Sequence, residues 1–228
     1  MFDWQKINKN KIRLFIVLGF LVSLFFGIYM IFFISEEAIA PKEENNQISE
    51  ENENNKNTDN KKEIGISLPL EDALSRITKK PFGIYITPET SPVQPERFSG
   101  YHTGTDFEIK EGEENKNVDI YAICTGQIVR KRIVSGYGGT VIQECKINNK
   151  SMLVLYGHIS LDRVSFNELD KVEAGTKIAI LADANSEMSG GERKHLHLGI
   201  YKGTIIDYAG YVTDKKDLSE WLNFEDLL

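Results

Sequence analysis

From Leu14 to Ile34 the chain reads LFIVLGFLVSLFFGIYMIFFI, apolar on every side and without a charge. About 20 such residues cross a hydrocarbon core of roughly 30 Å as one helix, so residues 14–34 are predicted to be transmembrane. The pattern then reverses over residues 35–63. Between Pro41 and Glu63 (PKEENNQISEENENNKNTDNKKE) Ile48 is the one sizeable apolar residue. Such a segment buries too little surface to offset its conformational entropy, which predicts a disordered tether. Beyond it, Leu68-Pro69-Leu70 opens a short predicted helix with Leu70, Leu74 and Ile77 on one face, stopped by Pro81. The runs FGIYITP, TDFEI, IYAICTGQIVRKRIV, GTVIQECKI, SMLVLYGHIS, TKIAILAD and HLHLGIYKG follow. They are short, rich in β-branched and aromatic residues and separated by Gly, Asn, Asp and Ser, which predicts an all-β core. Ser135–Gly139 reads as a hairpin turn, and the closing DLSEWLNFEDLL as a helical segment that packs through Leu218, Trp221 and Leu222.

Charge orients these pieces. Lys6, Lys9, Lys11 and Arg13 precede the apolar run, and Glu36, Glu37, Glu43 and Glu44 follow it. The positive excess puts residues 1–13 in the cytoplasm and residues 64–228, the globular domain, outside the cell membrane. A cleaved signal peptide competes with this reading, because Ala38-Ile39-Ala40 imitates a cleavage site. The apolar run exceeds the usual signal core of about 7–15 residues, two glutamates stand before the site and Pro41 after it, so a single-pass anchor is expected. Lys and Arg number 27 against 34 Asp and Glu, a net charge of −7. With no basic patch, nucleic acid is not an expected partner. Cys124 and Cys145 would be free to bridge in an exported domain, and the residues leave a disulfide and two buried thiols equally open. They lack CxxC spacing and are not expected to bind metal.

The chemistry lies in the histidines, of which the chain has four. His195-Leu196-His197-Leu198-Gly199-Ile200 alternates cleanly, so both histidines project from one face, about 6.6 Å apart at Cα. In MLVLYGHIS the same alternation puts His158 on the face of Val154 and Tyr156. In His102-Thr103-Gly104-Thr105-Asp106 a straight strand would separate the histidine from the carboxylate by about 13 Å, too far for one metal. A backbone bend is expected there, with Gly104 as its device. Each piece alone has an ordinary structural explanation. Jointly they account for every histidine plus a carboxylate with a bend device, and that constellation outweighs the separate explanations.

RFSGYHTGTDFEI, LYGHIS and KHLHLGIY, spread over residues 82–203, together resemble the three motifs of the lysostaphin and LytM-type zinc endopeptidases that cut bacterial cell-wall peptides. The resemblance implies a mainly β fold, an antiparallel β-sheet groove of the duplicated hybrid motif type with short helices. It implies that one zinc ion is held by His102, Asp106 and His197, that His158 and His195 are catalytic without ligating, and that peptidoglycan peptide is the substrate. Two departures stand out: Arg193-Lys194 precede the last motif where the family commonly has Gly-Pro, and Leu198-Gly199 follow where it has Phe-Glu. The stretch MSGGERK is expected to be a flexible rim of the groove. No HExxH glutamate is present, so His195 is the expected general base, with His158 stabilising the oxyanion or passing the proton. Which histidine does which stays open. The alternatives are a catalytically silent wall-binding or amidase-regulating domain, a sugar-phosphotransfer carrier, and a structural membrane protein with an incidental metal site. Regulatory protein partners are left undetermined by these residues.

Overall fold

The computed structural model describes residues 65–228, which lie in the compact unit Thr58–Leu228. The other unit, Met1–Asn57, lies outside the described residues, and so do the expected anchor at 14–34 and the tether at 35–63. Among the described residues no helix is long and apolar enough to cross a membrane.

The described residues form eleven strands: β1 (Tyr85–Ile86), β2 (Gly100–His102), β3 (Gly104–Glu108), β4 (Asp119–Tyr121), β5 (Gly126–Val134), β6 (Gly138–Ile147), β7 (Lys150–Gly157), β8 (Lys171–Val172), β9 (Lys177–Ile180), β10 (His195–Tyr201) and β11 (Tyr211–Val212). Six form one antiparallel sheet in the order β3-β10-β7-β6-β5-β8. A three-stranded sheet, β1-β2-β11, and a two-stranded one, β4-β9, complete the domain. The expected mainly β architecture with short helices is what the described residues build.

Side-chain alternation gives the large sheet two different faces. Val154 and Tyr156 of β7, Val141 of β6, Phe107 of β3 and Leu196, Leu198 and Ile200 of β10 enter the main core, where Phe224 covers Phe107 at a ring separation of 5.8 Å. Leu153, Leu155 and Ile142 point the other way and form a smaller cluster with Tyr137. Asp106, His195 and His197 share that second face, one residue out of step with the core positions of their strands.

Three sequence expectations are corrected. The long run IYAICTGQIVRKRIV is not one strand: it bends at residues 123–125, so that β4 pairs with β9 and β5 with β6. Both turns of helix expected near the ends are 3-10 helices, at Ala73–Arg76 and at Lys215–Glu220 with Phe224–Leu227. A period of three residues puts Leu70, Ala73 and Arg76 inside and leaves Leu74 exposed, where a 3.6 period would have buried it. At the C-terminal end Trp221 and Phe224 are the buried anchors, with Leu218 and Leu222 half-buried.

Cys124, in the bend before β5, and Cys145 of β6 form a buried disulfide that closes a sequence separation of 21 residues. Loop closure of that length removes unfolded-state entropy equivalent to about 3 kcal/mol.

A second tie holds the first segment to the sheet. The buried Arg76 donates Nη1 to Glu113 Oε2 at 2.6 Å and Nη2 to Glu113 Oε1 at 2.9 Å, while its Nε reaches Glu71 O at 2.7 Å. The Arg76 guanidinium holds the Glu113 carboxyl down at about 2, against an ordinary 4.5. A carboxyl depressed in the folded state stabilises the fold above its unfolded pKa and loses that contribution as pH falls through its folded one. Glu113→Gln is expected to cost about 1–3 kcal/mol at pH 7, with the gap to the parent narrowing between pH 4.5 and about 2. Urea melts of both proteins across that range check it; a gap independent of pH would contradict the pairing.

Candidate metal centre

The ladder register sets the site. Across β3 and β10, His197 stands opposite Asp106 and His195 opposite Glu108; across β10 and β7, His197 stands opposite Gly157. His102 arrives from the neighbouring sheet. Its backbone donates to Ile84 O at 2.9 Å and accepts from Gly83 N at 2.8 Å, and Thr103 breaks the strand between β2 and β3 by bonding Gly210 O through its N–H and Ala209 O through Oγ1. The expected bend therefore lies at Thr103. Gly104 supplies room instead: a Cβ there would stand 2.5 Å from His197 Nε2 and 2.7 Å from Leu198 O.

The bend brings three donor atoms together. His102 Nε2 lies 3.1 Å from His197 Nδ1, His197 Nδ1 lies 3.0 Å from Asp106 Oδ1, and His102 Nε2 lies 3.4 Å from Asp106 Oδ1. Nitrogen and oxygen ligands 2.0–2.1 Å from a tetrahedral zinc are separated by about 3.3 Å, so this triangle has the size of one face of such a site. The outer atoms fit as well. His102 Nδ1 faces Pro81 O at 3.3 Å, a carbonyl that only accepts, so the proton is on Nδ1 and Nε2 has its lone pair free. His197 Nε2 meets the Tyr137 hydroxyl at 3.4 Å. These residues fit a single zinc ion.

Burial pushes the His197 imidazole down to about 4. Burial acts to raise the Asp106 carboxyl, but His102 and His195 hold it well below the ordinary carboxylate range. Neutral imidazole and ionised carboxylate are the states a metal requires of its ligands.

His158 and His195 lie beside this triangle with ring centroids 4.3 Å apart. His195 donates Nδ1–H to Arg193 O at 2.9 Å and His158 donates Nδ1–H to Ser189 O at 2.8 Å, leaving the Nε2 of each as an acceptor. His195 Nε2 is 3.4 Å from Asp106 Oδ2. Burial, with the neighbouring His195 and His197, pushes His158 well below the ordinary histidine range. The face expected for His158 is corrected. Strict alternation would send it into the core beside Tyr156, but β7 ends at Gly157 and His158 adopts a left-handed backbone with φ of 60°. That turn points its ring back toward His195. A left-handed non-glycine residue costs about 1–3 kcal/mol and persists where its surroundings enforce it; here its N–H bonds Tyr137 O and its C=O accepts from Ala182.

Residues that sequence reasoning did not assign complete the centre. Arg193 donates Nη2 to Asp106 Oδ2 at 2.8 Å and grips Glu108 through Nε at 3.0 and 3.1 Å and through Nη2 at 2.5 Å. Its presence before the last motif was the sole signal. Tyr137 sits at the β5–β6 turn, and Tyr211 of β11 lies over His102 at a ring separation of 5.2 Å. Nothing in their spacing marked them. The MSGGERK stretch is a rim but not a loose one: Ser189 and Lys194 are buried, Gly139 N–H donates to Met188 O at 2.8 Å, and a Cβ on Gly138 would stand 2.2 Å from Met188 O. A cavity of about 270 Å³ opens over the centre, lined by Asp106, His158, His195 and His197 and walled by Lys80, Glu96, Phe98, Tyr137, Arg193 and Tyr211.

Known structures of similar chain path include lysostaphin from Staphylococcus simulans (19% identity over 72% of this chain and 53% of that one, TM-score 0.46). Csd3 from Helicobacter pylori is similar at 22% identity over 71% of this chain and 38% of that one, with a TM-score of 0.41. LytU is similar at 24% identity over 67% and 90%, with a TM-score of 0.43. The chain thus spans 38% and 53% of Csd3 and lysostaphin. Among curated protein sequences none matches. The model of peptidase family M23 matches residues 100–208, a stretch that contains all four histidines and Asp106. Over residues 100–208 the chain therefore belongs to peptidase family M23.

Proposed function

We propose that this chain is a zinc-dependent endopeptidase that hydrolyses the cross-links or stem peptides of bacterial peptidoglycan. The observation that carries the reading is the triangle of His102, Asp106 and His197 donors flanked by two imidazoles whose free Nε2 atoms border the same cavity. Zinc on that triangle would acidify a water and polarise the scissile carbonyl, so that attack is feasible near neutral pH.

The chain's own groups handle the protons. His195 Nε2, next to Asp106, takes the proton of the attacking water as its oxygen bonds the carbonyl carbon. When the C–N bond breaks, its electron pair goes to the leaving nitrogen, and the imidazole pair of His195 and His158 returns one proton there. The products are an amine and a carboxylic acid, which gives up the second water proton to solvent. The backbone bonds to Arg193 O and Ser189 O keep both rings from turning their N–H edge to the substrate.

The buried disulfide supports an oxidising compartment. With the apolar run at 14–34 and its charge asymmetry, it favours a domain held outside the cell membrane by a single-pass anchor.

Residues 58–228, incubated with purified peptidoglycan, are expected to release peptides with new amino and carboxyl termini, read by mass spectrometry, and to stop doing so in a chelator. Bound zinc without products from any wall type would overturn the hydrolase reading in favour of a silent wall-binding or amidase-regulating domain.

A further inference from the structure

We infer that Arg193 is the substrate anchor of this site and that it selects peptides carrying a free carboxylate next to the scissile bond. The inference rests on the peptidase reading above and deepens it.

The Arg193 guanidinium has three nitrogens, and two are committed. Nε and Nη2 face Glu108, and Nη2 also reaches Asp106 Oδ2. Nη1 has no acceptor among the described residues, yet it is not sealed in: the buried side-chain polar atom without a partner is Thr105 Oγ1. The side chain keeps 17% of its surface exposed and lines the cavity over the metal centre. Two carboxylates thus hold the plane of the guanidinium, and Nη1 is left without a partner on a side chain that lines the cavity. Such a fork is preorganised, so little entropy is lost when it closes on a ligand.

Other cations around the cavity are already matched. Lys80 Nζ is paired with Glu96 and bonds the Tyr211 hydroxyl at 3.0 Å. Arg97, on the outer rim, is paired with Glu192 at 2.6 Å. Arg193 is shared by Asp106 and Glu108, and Lys79 Nζ stands 3.6 Å from Glu108 Oε2, so the two carboxylates are balanced before any metal binds. A divalent ion on Asp106 would add to that balance, so that the loaded site has a net positive charge beside an unpartnered guanidinium nitrogen. The chemistry that fits is a carboxylate. A direct cross-link between D-amino acids offers one near the scissile bond; a bridge of glycines does not.

The test uses two synthetic direct cross-link peptides, identical except that the carboxylate flanking the scissile bond is free in one and amidated in the other. Binding is read by calorimetry in the zinc-loaded His195→Ala protein, and kcat/KM in the zinc-loaded parent. The free acid is expected to bind about tenfold or more tightly than the amide, the usual reach of a charge-assisted hydrogen bond. Because zinc also attracts carboxylates, both measurements are repeated with Arg193→Lys, which keeps a positive charge near Asp106 and Glu108 but has no second donor edge. Discrimination is expected to fall to within about twofold there, with zinc supplied to saturation and its occupancy measured in each sample, because Arg193 also bonds the ligand Asp106. Equal binding of acid and amide by the parent site overturns the anchor, and so does discrimination that survives Arg193→Lys. Preference for the acid without cleavage of either peptide would sink the hydrolase reading and leave the anchor standing; equal cleavage of both would do the reverse.

Discussion

Gly104→Ala is expected to lower zinc affinity by about 10–100-fold, the range found when a metal ligand loses its orientation, and to remove measurable turnover with it. A methyl group at this position would stand 2.5 Å from His197 Nε2 and 2.6 Å from His197 Cε1, and also 2.7 Å from Leu198 O. Leu198 is fixed by its pairing with Thr105 and Tyr156, so the backbone on that side cannot retreat. The imidazole has to yield, and a rotation large enough to clear the methyl takes Nδ1 out of the triangle with His102 and Asp106. Gly104 is not in the left-handed region, so alanine adds no φ strain, but the contact with Leu198 O is against paired backbone and is expected to lower the melting temperature as well. Competition with a chromophoric zinc chelator, next to a thermal melt, separates the two effects. Unchanged zinc affinity would mean that His197 is not a ligand.

His158→Ala and His195→Ala are expected to behave in the opposite way, keeping one zinc per chain while kcat falls by about 10²–10⁴-fold, the usual contribution of a positioned acid or base. Neither ring supplies an atom to the donor triangle, so the metal should not register their loss. His158 allows a sharper form of the test. Its left-handed backbone suits glycine better than any residue with a Cβ, so His158→Gly is expected to be as inactive as His158→Ala yet to melt at a higher temperature. An alanine variant at either position that cleaves wall peptides at the parental rate would remove that residue from the mechanism.

Much of the centre could be read from the chain because its signals were local. HLHLGI alternates over a strand that really is regular, and the register then delivers His197 opposite Asp106 without further help. What escaped depends on contacts that no local window contains. His158 was assigned to the wrong face because alternation presumes extended backbone, and one residue with φ of 60° reverses it. A period of 3.6 residues puts Leu74 inside, whereas the segment winds with a period of three. β2, β8 and β11, of two or three residues each, are too short to show any period, though β2 carries His102. Arg193 was visible as a departure from the family pattern. Its partners Asp106 and Glu108 lie 87 and 85 residues away, and only the folded β3–β10 ladder brings them beside it.

Zinc titration of the metal-free protein, with peptide release from peptidoglycan followed in the same samples, tests the central claim most directly. The His102–Asp106–His197 triangle predicts activity that is absent without metal, rises linearly and levels at one equivalent of zinc per chain. Peptide release that is already complete before zinc is added, or zinc that saturates at one equivalent with no peptide released, would contradict it.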